Sequence, residues 1–92
     1  MDPRVERILD FLNNQHIRAS YAAVGDAIGV PAQSVGRLLG DRQPRASWVV
    51  AKKTRRPTGY TASQMHPALE ESEVILTRDD LNRRMSAWDR AR

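Results

Sequence analysis

The chain has 92 residues, 40% of them apolar and only 5% aromatic, with fifteen Lys and Arg against eleven Asp and Glu for a formal net charge of +4. That length supports one modest core rather than two independent ones, and the absence of cysteine excludes disulfides, thiolate metal centres and cysteine nucleophiles. No apolar run is long enough to cross a bilayer and no apolar signal-peptide core lies near the start, so the expectation is a single domain over residues 1–92, cytoplasmic and without a membrane role.

Asp2 followed by Pro3 reads as an N-cap with proline at the first helical position. Val5, Ile8, Leu9 and Leu12 then share one face of a helix that should end near Asn13 and Asn14. Gln15 to Ala19 reads as a connection, and Ser20 is placed to cap a helix starting at Tyr21. Ala23, Val24, Ala27 and Ile28 form its apolar face. Gly29 takes the positive φ that ends it, Val30 turns into the core, and Pro31 opens a further helix whose stripe is Val35, Leu38 and Leu39. Gly25 stands where two steeply crossing helices need their backbones close. The pair is a helix-turn-helix.

Beyond Gly40 the helical period stops. Trp48 to Ala51 is a short β-prone run between proline and basic residues, which predicts a strand and a wing-like loop. A short helix is expected to open at Pro67. Thr77 caps a last helix, with Asp80 in a capping-box-like position and Leu81, Met85 and Trp88 on the inner face. The expected fold is mainly α, a small winged-helix-like domain with a helix-turn-helix and a short strand and wing.

The charge is unevenly placed. Arg42, Arg45, Lys52, Lys53, Arg55 and Arg56 put six cations into fifteen residues directly after the helix-turn-helix, whereas Glu70, Glu71, Glu73, Asp79 and Asp80 cluster later. A run such as KKTRR is often a solvated loop, but a basic loop following a helix-turn-helix is suited to gripping a phosphate backbone beside an inserted helix. The second helix of the pair offers Ala32, Gln33, Ser34 and Arg37 as groove-facing residues, with Gln33 and Ser34 able to donate to and accept from base edges. The alternative makes Gln33 and Ser34 ordinary helix-start residues.

In SYAAVGDAIGVPAQSVGRLLG and the residues that follow as far as Tyr60, the chain resembles the DNA-binding half of the O6-alkylguanine-DNA alkyltransferase family and its non-enzymatic relatives, the alkyltransferase-like proteins. The family's Ser/Thr-Tyr opening, turn glycine, Arg-X-Val-Gly element, Pro-Cys-His-Arg-Val-Val strand and Gly-and-Tyr loop have ordered counterparts. These are Ser20-Tyr21, Gly29, Gln33-Ser34-Val35-Gly36, RASWVV and PTGY with Gly59 and Tyr60. The resemblance implies binding of duplex DNA, with Tyr21 among the contacts and Ala46, Trp48 and Tyr60 as candidates for a base pocket. Two departures limit what carries over. The alkyl-accepting cysteine falls at Ala46, or at Trp48 in the alternative alignment, so no thiolate exists to accept an alkyl group. Gln33 replaces the arginine that in this family enters the duplex and fills the space left by a flipped nucleotide.

Other sites are weaker. His16 and His66 stand fifty residues apart without a cysteine or further histidine at ligand spacing, so neither a metal nor a cofactor is expected. The carboxylates Glu70, Glu71 and Glu73 read as a solvated face, and Ser47 has no assigned base. Trp48 has two readings, inward anchor of its strand or wall of a base-sized pocket. Taken together, the chain is expected to be a monomeric, non-enzymatic duplex-DNA-binding protein that signals through a repair-protein partner. The rivals are a dimeric winged-helix transcription regulator reading a palindrome, and a protein-interaction adapter on the same fold.

Overall fold

A computed structural model describes residues 2–91. Its elements are α1 (Pro3–Gln15), β1 (Arg18–Ser20), α2 (Tyr21–Ile28), α3 (Ala32–Leu39), β2 (Val49–Val50), β3 (Val74–Ile75) and α4 (Arg78–Ala91), with single 3-10 turns at Pro44–Ala46, Ala62–Gln64 and Leu69–Glu71.

Local chemistry places the helix starts. The Asp2 carboxylate accepts from the Arg4 N–H at 2.8 Å, and Arg4 Nη1 donates across to the Ile28 carbonyl at 2.7 Å, supplying a cation to the free end of α2. The Asp2–Arg4 hydrogen bonds hold the Asp2 carboxyl below its ordinary value. Ser20 Oγ accepts from the Ala23 N–H at 3.1 Å, and Thr77 Oγ1 accepts from the Asp80 N–H at 3.2 Å. Gly29 closes α2 at φ +78°. Pro31 sits one residue earlier than expected, as the N-cap of α3. At Gly25 the reason for glycine is space: a Cβ there would lie 2.6 Å from the Val30 carbonyl oxygen and 3.3 Å from a Val35 methyl.

The three strands form one parallel sheet in the order β2-β1-β3, with Ala19 opposite both Val49 and Ile75. Two of these strands were not expected: β1 lies in the segment read as a connection, and β3 lies beyond the short helix expected to open at Pro67, where the helical element is a single 3-10 turn at Leu69–Glu71. A parallel pair needs a crossover, and between β1 and β2 the crossover is the helix-turn-helix itself. After β2 the chain does not return as a hairpin. It makes a turn, with the Ala51 N–H donating to the Arg56 carbonyl at 3.0 Å and the Arg55 N–H to the Ala51 carbonyl at 2.8 Å.

A continuous core joins Val5, Leu9, Phe11 and Leu12 of α1 to Ala23, Val24, Val35, Trp48, Val49, Ile75 and Leu81. Fully burying each large member contributes roughly 1.5–3 kcal/mol. α4 packs across α2 and α1, with Leu81 and Met85 buried and Trp88 meeting Phe11 edge-on at 5.5 Å. Among the described residues no helix is long and apolar enough to cross a membrane.

Candidate nucleic-acid interface

The outer face of α3 opens onto a groove of about 1070 Å³ whose walls include Tyr21, Gln33, Gly36, Arg37, Arg42 and Tyr60. Helical spacing explains the set: positions 32, 33, 36 and 37 turn one way while Val35 and Leu39 turn into the core. Of the expected α3 contacts, Ala32, Gln33 and Arg37 line the groove, and Ser34 does not. The far wall is built from the segment after β2. The Tyr21 hydroxyl accepts from the Thr58 N–H at 3.1 Å, tying the start of α2 to that wall. Gly59, at φ +76°, lets the Arg42 guanidinium lie against its backbone; a Cβ would meet Nη2 at 2.8 Å. Burial holds the Tyr60 hydroxyl above its ordinary value, opposed by hydrogen bonding from the Gln43 backbone. The groove presents two tyrosine rings and two guanidiniums, a combination suited to stacking on bases and pairing with phosphate.

The six cations after α3 divide into three kinds. Lys52, Lys53 and Arg55 project from the exposed 51–56 turn with no carboxylate partner among the described residues, and Arg42 and Arg37 stand in the groove likewise unpaired. Arg56 pairs with Glu70 at 2.9 Å, both side chains well over half exposed, so this contact contributes little and gives way to a phosphate at small cost. Arg45 differs. It folds back onto α1, bonding Glu6 at 3.2 Å and Asp10, and its charge is neutralised away from the groove. Arg45, one of the expected DNA contacts, is paired in the free protein with two carboxylates far earlier in the chain.

The base-pocket candidates separate as well. Tyr60 lines the groove, but Ala46 and Trp48 are fully buried and do not. Trp48 is an inward anchor: its indole N–H donates to Asn13 Oδ1 at 2.9 Å, and its ring is covered by His16, stacked at 5.3 Å, and by His66 at 4.7 Å. The two histidines, distant in sequence, meet at 4.8 Å between ring centres. They do not make a ligand pair. His66 Nδ1 accepts from the Ala68 N–H at 3.0 Å, which leaves the ring proton on Nε2 where a metal would need a lone pair. Burial, and then the neighbouring His16, push the His66 pKa down. No group of three or more potential ligands occurs among the described residues. Ser47 is fully buried, its hydroxyl donating to the Pro44 carbonyl at 2.6 Å and accepting from the His66 N–H at 3.0 Å.

The acidic cluster is largely occupied. Arg84 holds Glu73 through two bonds at 2.7 and 2.9 Å and reaches Asp80 at 3.2 Å, and this hydrogen bonding keeps the Glu73 carboxyl below its ordinary value. Basic and acidic segments meet at Arg56 and Glu70.

Compared with protein-family models, curated proteins and solved structures, the chain matches none.

Proposed function

We propose that this chain is a non-enzymatic duplex-DNA-binding protein of the alkyltransferase-like type, acting as a cytoplasmic monomer and passing on the presence of modified bases through a repair-protein partner. The observation that carries the reading is the convergence, on one groove, of the exposed face of α3, two tyrosines and the unpaired Arg37 and Arg42. The helix-turn-helix supplies the inserted element and the 51–56 turn does the work of a wing, holding phosphates on one side of it. Alkyl transfer to a thiol is not part of the function, because the chain holds none. Phosphate contacts give affinity without sequence information, so any preference for a modified base comes from the groove.

The test is a titration of the purified protein against plain duplex, duplex carrying O6-methylguanine and single strand, at two salt concentrations. Salt-dependent duplex binding with at least some preference for the alkylated form supports the reading. Dimerisation on a palindromic site supports a transcription regulator, and the absence of nucleic-acid binding at low salt supports a protein-interaction adapter.

A further inference from the structure

Arg18 is the buried arginine of the described residues, 8% exposed on the central strand β1. Among the described residues no carboxylate forms an ion pair with it. Its Nη1 donates to the Arg55 carbonyl at 2.7 Å, Nη2 donates to the Ser72 carbonyl, and Nε has no acceptor. Burying a guanidinium whose hydrogen bonds go only to carbonyls is costly: burial pushes its pKa down, the charge of Glu70 opposes this in part, and Arg55 and Arg56 add to it. Holding the sheet together does not require it, since its neighbour Ala19 fills a central position with a methyl group.

What the guanidinium reaches explains its presence. Arg55 is left-handed at φ +62° in the 51–56 turn whose carbonyl Arg18 grips. The turn is otherwise closed by the paired bonds between Ala51, Arg55 and Arg56, and Pro57 is buried directly after it. Through Nη2 the same side chain fixes the end of the Leu69–Glu71 turn, which carries Glu70, the partner of Arg56.

We propose that Arg18 is a positioning residue for DNA binding: from inside the core it clamps the 51–56 turn so that Lys52, Lys53, Arg55 and Arg56 meet successive phosphates as a preformed set. This rests on the duplex-binding reading above. Preorganisation matters because a loose basic turn loses conformational freedom on binding and a clamped one does not.

The experiment compares the parent with Arg18→Met and Arg18→Lys by amide hydrogen exchange and by duplex titration over a salt series. In Arg18→Met the Ala51 and Arg55 amides should exchange about tenfold faster while those of α2 and α3 stay protected. Duplex affinity should fall about tenfold, and the log–log salt slope should flatten by about two, more than the roughly 0.9 that one lost charge explains. Arg18→Lys keeps the charge but cannot span both carbonyls, and should show the same loosening with part of the binding loss. The proposal is overturned if the turn amides remain protected in both variants, if they loosen and binding is unchanged, or if lysine restores full binding over a loose turn. Should Arg18→Met not fold, Arg18→Lys alone carries these comparisons. A parent that binds duplex while the variants behave in one of those ways sinks the clamp and leaves the DNA reading standing. A parent that binds no duplex sinks both.

Discussion

The salt dependence of duplex binding should be carried by particular cations, and the ion pairs decide which. Lys52, Lys53 and Arg55 are exposed and unpaired, Arg56 is held weakly by Glu70, and Arg45 is bound by Glu6 and Asp10 of α1. Each phosphate neutralised by a lysine or arginine contributes about 0.9 to the slope of log affinity against log salt. Three unpaired cations on the turn therefore predict a loss of about three when Lys52, Lys53, Arg55 and Arg56 are all replaced by alanine, with Arg56 adding less than a full unit because it gives up Glu70 on binding. Arg45→Ala should leave the slope within about half a unit of the parent. Fluorescence anisotropy with a labelled duplex at four or more salt concentrations reads both variants. A quadruple variant with the parent's slope, or an Arg45→Ala that loses as much as the turn variant, would show that exposure and pairing do not identify the binding face.

The two helical glycines should respond with opposite signs. Gly25→Ala forces a Cβ to 2.6 Å from the Val30 carbonyl oxygen and should destabilise by about 1–3 kcal/mol, whereas Gly36→Ala meets nothing within 4 Å and should stabilise by about 0.5–1 kcal/mol. In thermal melts that is a fall for the first and a rise of a few degrees for the second, and equal signs would contradict the packing of α2 on the turn. His66, with its pKa pushed down by burial and by His16, binds fewer protons folded than unfolded. Its contribution to stability is present above the ordinary imidazole range and lost as pH falls through that range towards the folded value. An NMR titration in which the His66 ring titrates at or above a free imidazole would refute this. At Gln33, substitution by arginine should raise affinity for O6-methylguanine duplex more than for plain duplex if a nucleotide is flipped, and raise both alike if Gln33 is an ordinary groove contact. The ratio of the two affinities at one salt concentration distinguishes the cases.

How far these features could be read from sequence depended on how local their causes are. The starts of α1, α2 and α4 were legible because Asp2, Ser20 and Thr77 bond amides two or three residues away. Gly29 was legible because a positive φ is a property of one residue. The strands β1 and β3 were not. They are two or three residues long, too short for alternation to show, and as parallel strands they lack the in-out pattern of a half-exposed sheet. Arg18 disguised β1 further, since a charge at the centre of a sheet argues against a strand until its two carbonyl partners, 37 and 54 residues away, are known.

The same distinction runs through the candidate site. Helical spacing was enough to bring Ala32, Gln33 and Arg37 to one face, but nothing near Arg45 in the chain signalled that it would be claimed by Glu6 and Asp10. Six clustered cations thus resolve into three unpaired ones on the turn, one weakly held, one in the groove and one neutralised. Charge density in the sequence marked a basic segment. Long-range pairing narrows its unpaired cations from the whole 42–56 segment to two places, the 51–56 turn and the wall shared by Arg42 and Tyr60. Trp48 follows the same logic in reverse: the ring that a local alignment offered as a pocket wall is sealed by His16 and His66, and the aromatic rings that line the groove are those of Tyr21 and Tyr60, brought from α2 and from the segment after β2.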